Sequence, residues 1–571
     1  MELELALEQW TTVLGAERVS AEMDTRQTYA RSTQPTSSKP AAVLFPRNTA
    51  EVREVVRIAS EHGVPLYPIS RGCNWGYGDA CATTAGQVIV DLRQMNRIIE
   101  VNEKLAYAVI EPGVTQGQLA EYLAKNHPSL WLDVTGAGPD ASVVGNTLER
   151  GFGHTPCGDH FQMSAGYQIV LADGRVLNTG FGHFDRAAAT HAFKSGVGPA
   201  LDGLFTQSNL GIVTRMGVWL LQKPEHVEAF AFSAQSPEQI SDIVEALRPL
   251  RMAGLIQSTV HIANDLRIIS SRARYPWEAM KGETPISPEL RRKMCRDIGM
   301  GAWNVLGAMY GTRETVAATK KAVRKAFKSI ARVRFFSEET LNFGERVASV
   351  LSFVPGMKRI REQIRCTRPA FDLLKGVPSP KHLSGAGWRS REPFDAQRSD
   401  FLDNNWGLMW LSPVLPATGE AALAFTKLIE PLFARHGFEP LVTITSITPR
   451  ALCAVMTISF DKTNPAETVR ARACYAELYA ECAAAGFHPY RVGVHSMQKL
   501  HENSEVFWDV AGQIKQALDP NQIIAPGRYI PVQKARPRST SSRRFAEMPG
   551  VARALYAAAL AHPFQSKTMP K

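Results

Sequence analysis

The first two hundred residues alternate short apolar runs with amphipathic stretches. "AAVLF" (41–45) predicts a strand and "TAEVREVVRIASEHG" (49–63) a helix, with Thr49 capping its start and Gly63 its end. "VPLYPI", "QVIVDL" and "AYAVIEPG" supply further short strands of a small mixed sheet. A helix over 115–125, a strand over 166–172 with the turn "ADGR", and the run "GIVTRMGVWLL" complete a first domain. It ends near residue 222, where Lys223 and Pro224 mark the boundary. The second domain opens on "SPEQISDIVEALRPL", with Ser236 as N-cap, Pro237 at the first helical position and Gln239 completing a capping box. Helices and strands then alternate to about residue 480, broken by a proline-, glycine- and charge-rich stretch over 360–405 that reads as a long loop. The class is α/β followed by α+β.

A chain of 571 residues is long enough for two or three domains. With 44% hydrophobic and 21% charged residues it falls in the ordinary soluble globular class. No apolar run reaches the ~18 residues that span a bilayer. The opening "MELELALEQW" is acidic and helix-like, not a secretory signal. The eight cysteines are scattered with no CxxC pair, which predicts reduced thiols in a cytoplasmic setting and no metal site. Part of the net charge of +11 lies in "QKARPRSTSSRRF" (533–545), within a basic C-terminal extension over 533–571. Lacking aromatic-basic interleaving, that segment reads as a solvated tail or interface strap, not a nucleic-acid arm.

Chemistry enters at "PISRGCNWGYG" (68–78), directly after a predicted strand. A triphosphate loop would need GxxxxGK[ST], and a dinucleotide fingerprint would open a helix; neither condition is met. What remains is a nest of backbone N–H groups suited to a pyrophosphate. "SVVGNTLERGFGHTPCGDHF" (142–161) and "DGLFTQSNLGIVTRMGVWL" (202–220) repeat the same small, polar character. Three such loops in one domain predict a ligand lying extended across it.

These segments, with "DLRQMNRIIEVN", "AVIEPGVT", "LWLDV", "YRVGVHSM" and "LDPNQIIAPGR", resemble the vanillyl-alcohol oxidase and p-cresol methylhydroxylase family over most of residues 40–530. The resemblance implies an α+β flavoprotein. Its FAD-binding domain, of the p-cresol methylhydroxylase type with two α/β subdomains, would span 1–222. An α+β cap over 223–485 would form the substrate pocket, and 486–532 would return to the FAD domain. The FAD pyrophosphate would lie at 70–76, that is at Ser70, Arg71, Gly72, Cys73, Asn74, Trp75 and Gly76, with Pro68 also binding the cofactor. Gly145, Asn146, Glu149, Gly153, Thr155 and Gly158 would hold other parts of the cofactor, as would Asn209, Gly211, Ile212 and Val213. Asn521 and Arg528 would approach the flavin edge. The implied reaction is hydride loss from the benzylic carbon of a para-substituted phenol or aromatic alcohol to the flavin, through a quinone methide. Tyr77, Tyr490 and Arg491 would bind the phenolate. Oxygen or an electron-accepting protein would take the electrons, and a homodimer is implied.

Two positions depart from the family pattern. Leu408 stands in "NNWGLMWLSP" where many members carry a flavin-linked histidine, and Gly387 where a tyrosine would serve, so FAD is expected without a covalent link. Cys73 and Cys157 fall in the cofactor loops but read as inert. "LWLDVTGAGPDAS" is one residue longer than the family's text and puts Gly136 or Ala137 where some oxidases have a carboxylate near the flavin. Asp140 is the nearest spare acid, either a base for water or a residue of a surface turn. The alternatives are a tailoring oxidase of the same fold acting on a larger non-phenolic metabolite, and a non-catalytic flavin-binding partner subunit.

Overall fold

In the computed structural model, which describes residues 1–532 except 36–37, 351–353, 355, 393–394, 396–400 and 503–504, the early apolar runs become strands Val43–Leu44, Leu66–Ile69 and Val88–Asp91. The first two flank Val88–Asp91 in parallel, and Val19–Ser20 closes the sheet antiparallel to Val43–Leu44. All four residues of Val88–Asp91 are buried, as a continuous apolar run between parallel neighbours requires. Helix Thr49–His62 turns Val52, Val55, Val56, Ile58 and Ala59 into this core. Its cap is Asn48, one residue before the expected Thr49: Asn48 Oδ1 accepts from Glu51 N at 3.0 Å. Gly63 ends it at φ 64°.

A second, antiparallel sheet runs in the order Ile98–Asn102, Tyr107–Ile110, Ile212–Trp219, Ser164–Val170, Val176–Asn178. Late in the chain, Ala525 N donates to Leu66 O and Leu66 N to Ile523 O, both at 2.7 Å, so residues 523–525 lie alongside strand Leu66–Ile69.

From His226 the chain builds an eight-stranded antiparallel sheet. Its main path is Arg334–Phe336, His226–Ala234, Trp303–Gly311, Val260–Asn264, Leu441–Ser446, Ala451–Asp461, Trp406–Leu411. Helices Ile240–Met252, Gly419–Arg435 and Pro465–Ala484 pack on it around Phe230, Val305, Phe425, Phe433 and Phe460. The capping box of Ser236 and Gln239 forms as expected. Because side chains alternate along a strand, Met409 and Leu411 join this core while Trp410 between them faces the opposite way, onto a cavity.

The stretch expected as a loop over 360–405 is a correction: it begins inside a helix, Met357–Leu373, and continues through the short 3-10 segment Pro380–Gly387. Phe371 and Leu374 are buried against Ala229, Ala308 and Leu341, with Ile364 packed beside them. Pro369 within the helix and the charges on its outer face masked that sparse apolar spacing. Residues Met1–Pro531 form one compact unit, and the basic extension 533–571 lies outside the described residues. No helix among the described residues is long and apolar enough to cross a membrane.

The edge strand Trp406–Leu411 is sealed by chain from the first part of the protein. Leu408 N donates to Thr33 O at 2.8 Å and Trp410 N to Gly76 O at 3.2 Å, which occupies an otherwise open ladder. Gly76 has φ 71°, and a Cβ there would run into the Trp410 indole. Left-handed backbone with a side chain and overpacking each carry a cost, so Gly76→Ala is expected to lose about 2–5 kcal/mol of stability in chemical denaturation. A loss under about 1 kcal/mol would show that the loop shifts freely off the sheet.

Candidate active site

A cavity of about 390 Å³ lies where the three glycine-rich loops meet the back of the large sheet. Each loop leaves a regular element: 70–78 follows strand Leu66–Ile69, 142–151 contains helix Val143–Leu148 capped by Ser142, and 207–211 leads into strand Ile212–Trp219. Of the expected cofactor residues, Pro68, Ser70, Arg71, Gly72, Cys73, Asn74, Trp75, Gly145, Asn146, Glu149, Asn209, Gly211, Ile212, Val213 and Arg528 line it, as do Tyr77, Tyr490 and Arg491. Asn209 Nδ2 donates to Ala525 O at 3.0 Å and so fixes the third loop to the returning chain.

The walls fit FAD. A Cβ at Gly145 would come 3.1 Å from Ser70 Oγ, so a side chain there would crowd the groove between the first two loops. Arg71 Nε, on the wall, is buried without a hydrogen-bond partner among the described residues, a donor set suited to an anionic pyrophosphate.

Six expected site residues are not on the wall. Gly76 packs against Trp410, as above; at this glycine the close neighbour is protein. Gly153, Thr155 and Gly158 belong to a loop organised by Asp133, whose carboxylate accepts from His154 N at 3.0 Å, Thr155 N at 2.8 Å and Thr155 Oγ1 at 2.6 Å. Thr259 Oγ1, from the large-sheet side, donates to Gly153 O at 2.8 Å. Asn521 is exposed and reaches Ser60 Oγ at 3.3 Å; Asp519 holds that turn instead, accepting from Ile523 N and Ile524 N at 2.9 and 2.8 Å. Asp140 is exposed in a turn after Pro139, where short polar residues favour turning backbone.

At the other end of the cavity the Arg491 guanidinium stacks on the Tyr77 ring, 3.9 Å from its centroid. The Tyr77 hydroxyl is 2.8 Å from Ser412 Oγ. Tyr490 is set by Gln207 Nε2 donating to its carbonyl at 2.9 Å and by Phe152, ring centroids 5.6 Å apart. Burial pushes the Tyr77 phenol up against the opposing pull of Arg491 and Ser412. Burial and the neighbouring Tyr77 push Tyr490 well up. Both therefore stay protonated donors at neutral pH.

Charge on this wall is uneven. Glu149 accepts from Arg528 Nη2 and, at 2.6 Å, from the Tyr529 hydroxyl. Arg491 Nε is 3.9 Å from the same carboxylate and has no hydrogen-bond partner among the described residues, while Arg491 Nη2 donates to Asn74 Oδ1. Arg71, Arg267, Arg491 and Arg528 thus line one cavity together with the two carboxylates of Asp79 and Glu149.

Sequence reasoning missed Gln207, Phe152, Arg267, His382, Trp410 and Ser412, which also line the cavity. Trp410 and Ser412 stand in the quoted "WLSP" run, where strand alternation would have found them; Arg267 and His382 carry no local signal. Leu408 is fully buried, and Gly387 lies under the Trp406 ring. Cys157 is off the wall and pushed up to about 12 by burial.

Comparison with known proteins gives the family. Residues 40–180 match the family described as an FAD binding domain, and 419–529 the C-terminal domain of FAD linked oxidases. The chain is 37% identical to 1'-carboxy-chondrochloren decarboxylase of Chondromyces crocatus over 92% of this chain and 97% of that one. It is 35% identical to the 4-cresol dehydrogenase [hydroxylating] flavoprotein subunit of Pseudomonas putida, over 92% and 95%. Among solved structures, p-cresol methylhydroxylase with substrate bound superposes with TM-score 0.82 at 33% identity, covering 93% of this chain and 97% of that one. The 4-ethylphenol oxidase of Gulosibacter chungangensis, in complex with isoeugenol, gives 0.83 at 30%, covering 94% and 98%. With two near-full-length relatives above 30% identity and glycine-rich loops that converge on one cavity, the chain belongs to the vanillyl-alcohol oxidase and p-cresol methylhydroxylase family of FAD-dependent oxidoreductases.

Proposed function

We propose that the protein oxidises the benzylic carbon of para-substituted phenols or related aromatic alcohols. The observation that carries this reading is the Tyr77–Arg491 stack beside Tyr490 on the cavity wall. FAD, when bound, supplies a two-electron hydride acceptor whose electrons pass on to oxygen or an electron-accepting protein. The division into a cofactor part over 1–222 and 486–532 and a cap over 223–485 is part of the same proposal.

The protein's own residues prepare the substrate. Ionising a phenol of pKa about 10 at pH 7 costs roughly 4 kcal/mol. Charge-assisted hydrogen bonds contribute about 1.5–3 kcal/mol each, so one guanidinium and two protonated tyrosines offset that cost. The phenolate then pushes electron density toward the para carbon, and loss of hydride leaves a quinone methide that adds water or sheds a proton. Asp140, exposed and off the wall, is not placed to take the water's proton, which goes to solvent or to another carboxylate. The likeness to a decarboxylase named for a carboxylated metabolite supports a second reading, a larger substrate held in the same way at its phenol end.

Two outcomes are expected. Arg491→Met keeps FAD but slows flavin bleaching by the preferred 4-alkylphenol under argon at least about tenfold, with Tyr77→Phe and Tyr490→Phe milder. Normal bleaching in Arg491→Met would refute the phenolate reading. Neither Leu408 nor Gly387 can attach a flavin, so acid or heat denaturation releases FAD into the supernatant. Fluorescent protein surviving denaturing electrophoresis would contradict this and make Cys73, the thiol on the wall, the first residue to replace.

A further inference from the structure

Arg267 sits in helix Asp265–Arg272, whose cap Asn264 accepts from Arg267 N at 2.9 Å. Its side chain reaches the cavity wall beside His382, Leu383 and Ala386 of the 3-10 segment Pro380–Gly387. Gly385 makes room for it: a Cβ there would lie 2.5 Å from Arg267 Nη1. The sole hydrogen bond of the guanidinium among the described residues is from Nη1 to Ser270 Oγ at 3.4 Å. No carboxylate pairs with it among those residues. The helix's own acid, Asp265, is taken by Arg291 through two bonds of 2.6 Å. Arg389, the fully buried arginine of the same part of the chain, shows the usual remedy, with Glu439 and Glu467 each at 2.7 Å.

Desolvation alone acts on Arg267 and pulls it down, yet a guanidinium does not shed its proton at working pH. A lone charge in a low-dielectric wall is costly unless an anion meets it. His382 is pushed down to about 4 by burial, so it adds no second charge at neutral pH. At Arg267 and His382 the wall therefore offers one positive charge in a planar fork, matched to a monoanionic carboxylate rather than to a dianionic phosphate. No hydrogen bond, ion pair or ring contact joins Arg267 and Ser270 to the Tyr77–Ser412–Arg491 group among the described residues, although both groups line the one cavity.

We infer that Arg267 is a specificity-determining residue that binds a carboxylate on the para substituent of the aromatic substrate. The inference rests on the proposed function only for what lies at the substrate's other end.

The test uses the FAD-loaded full chain and ω-(4-hydroxyphenyl)alkanoates from the acetate to the pentanoate, each beside its primary amide. Binding is read from perturbation of the flavin absorption and turnover from bleaching under argon. At one chain length the carboxylate binds at least about tenfold tighter than its amide. Arg267→Met erases that preference with amide binding and FAD content intact, and Arg267→Lys restores part of it. No carboxylate preference at any length, or one that survives in Arg267→Met, would overturn the inference. So would equal loss of acid and amide binding with an altered flavin spectrum, which would set Arg267 against the cofactor. An Arg267-dependent preference without bleaching by any member would leave the carboxylate subsite standing and sink the phenol-oxidation reading. Arg267→Gln, which retains polarity, is the second variant if methionine fails to fold.

Discussion

One carboxylate shared by two arginines sets the character of the cavity. Glu149 accepts from Arg528 and Tyr529, and Arg491 stands 3.9 Å from it with a buried Nε that has no hydrogen-bond partner among the described residues. In a low-dielectric site such an imbalance strongly favours an anion. Burial works in the same direction on Tyr77 and Tyr490, holding their protons where a phenolate oxygen can accept them. The rest of the structure holds this arrangement in place.

The large sheet serves as that fixture. Its helix-covered face is a continuous apolar core, while Trp410 and Val455 of its other face close the cavity. Hydrogen bonds from Leu408 and Trp410 to Thr33 and Gly76, and from Thr259 to Gly153, bind the sheet to the glycine-rich loops. Loops that rest on a sheet edge lose less entropy when a ligand orders them.

Much of this was legible in the sequence, for identifiable reasons. Short apolar runs gave the strands around Val88–Asp91 and Ile212–Trp219, and Gly63 and the Ser236 capping box punctuate helices through purely local geometry. On the wall at 68–75, Ser70 and Gly72 were legible because close main-chain approach demands small side chains, whereas Pro68, Arg71, Cys73, Asn74 and Trp75 were legible only through the family resemblance. What small residues approach was not: Gly76 accommodates Trp410, more than three hundred residues away, and Gly153, Thr155 and Gly158 answer to Asp133. Arg267 was invisible because its significance comes from the lack of a partner acid among the described residues, and His382 because the fold alone brings it beside Arg267; neither follows from any spacing. Helix Met357–Leu373 was missed because its buried residues are few and its charges many.

The central claim is that the cavity stabilises a phenolate. A phenol with no benzylic hydrogen, such as 4-tert-butylphenol, tests it without turnover. In the ultraviolet difference spectrum of the FAD-loaded protein at neutral pH, the bound ligand is expected to show the phenolate band, far below its solution pKa. A bound ligand with the spectrum of the neutral phenol would contradict the account.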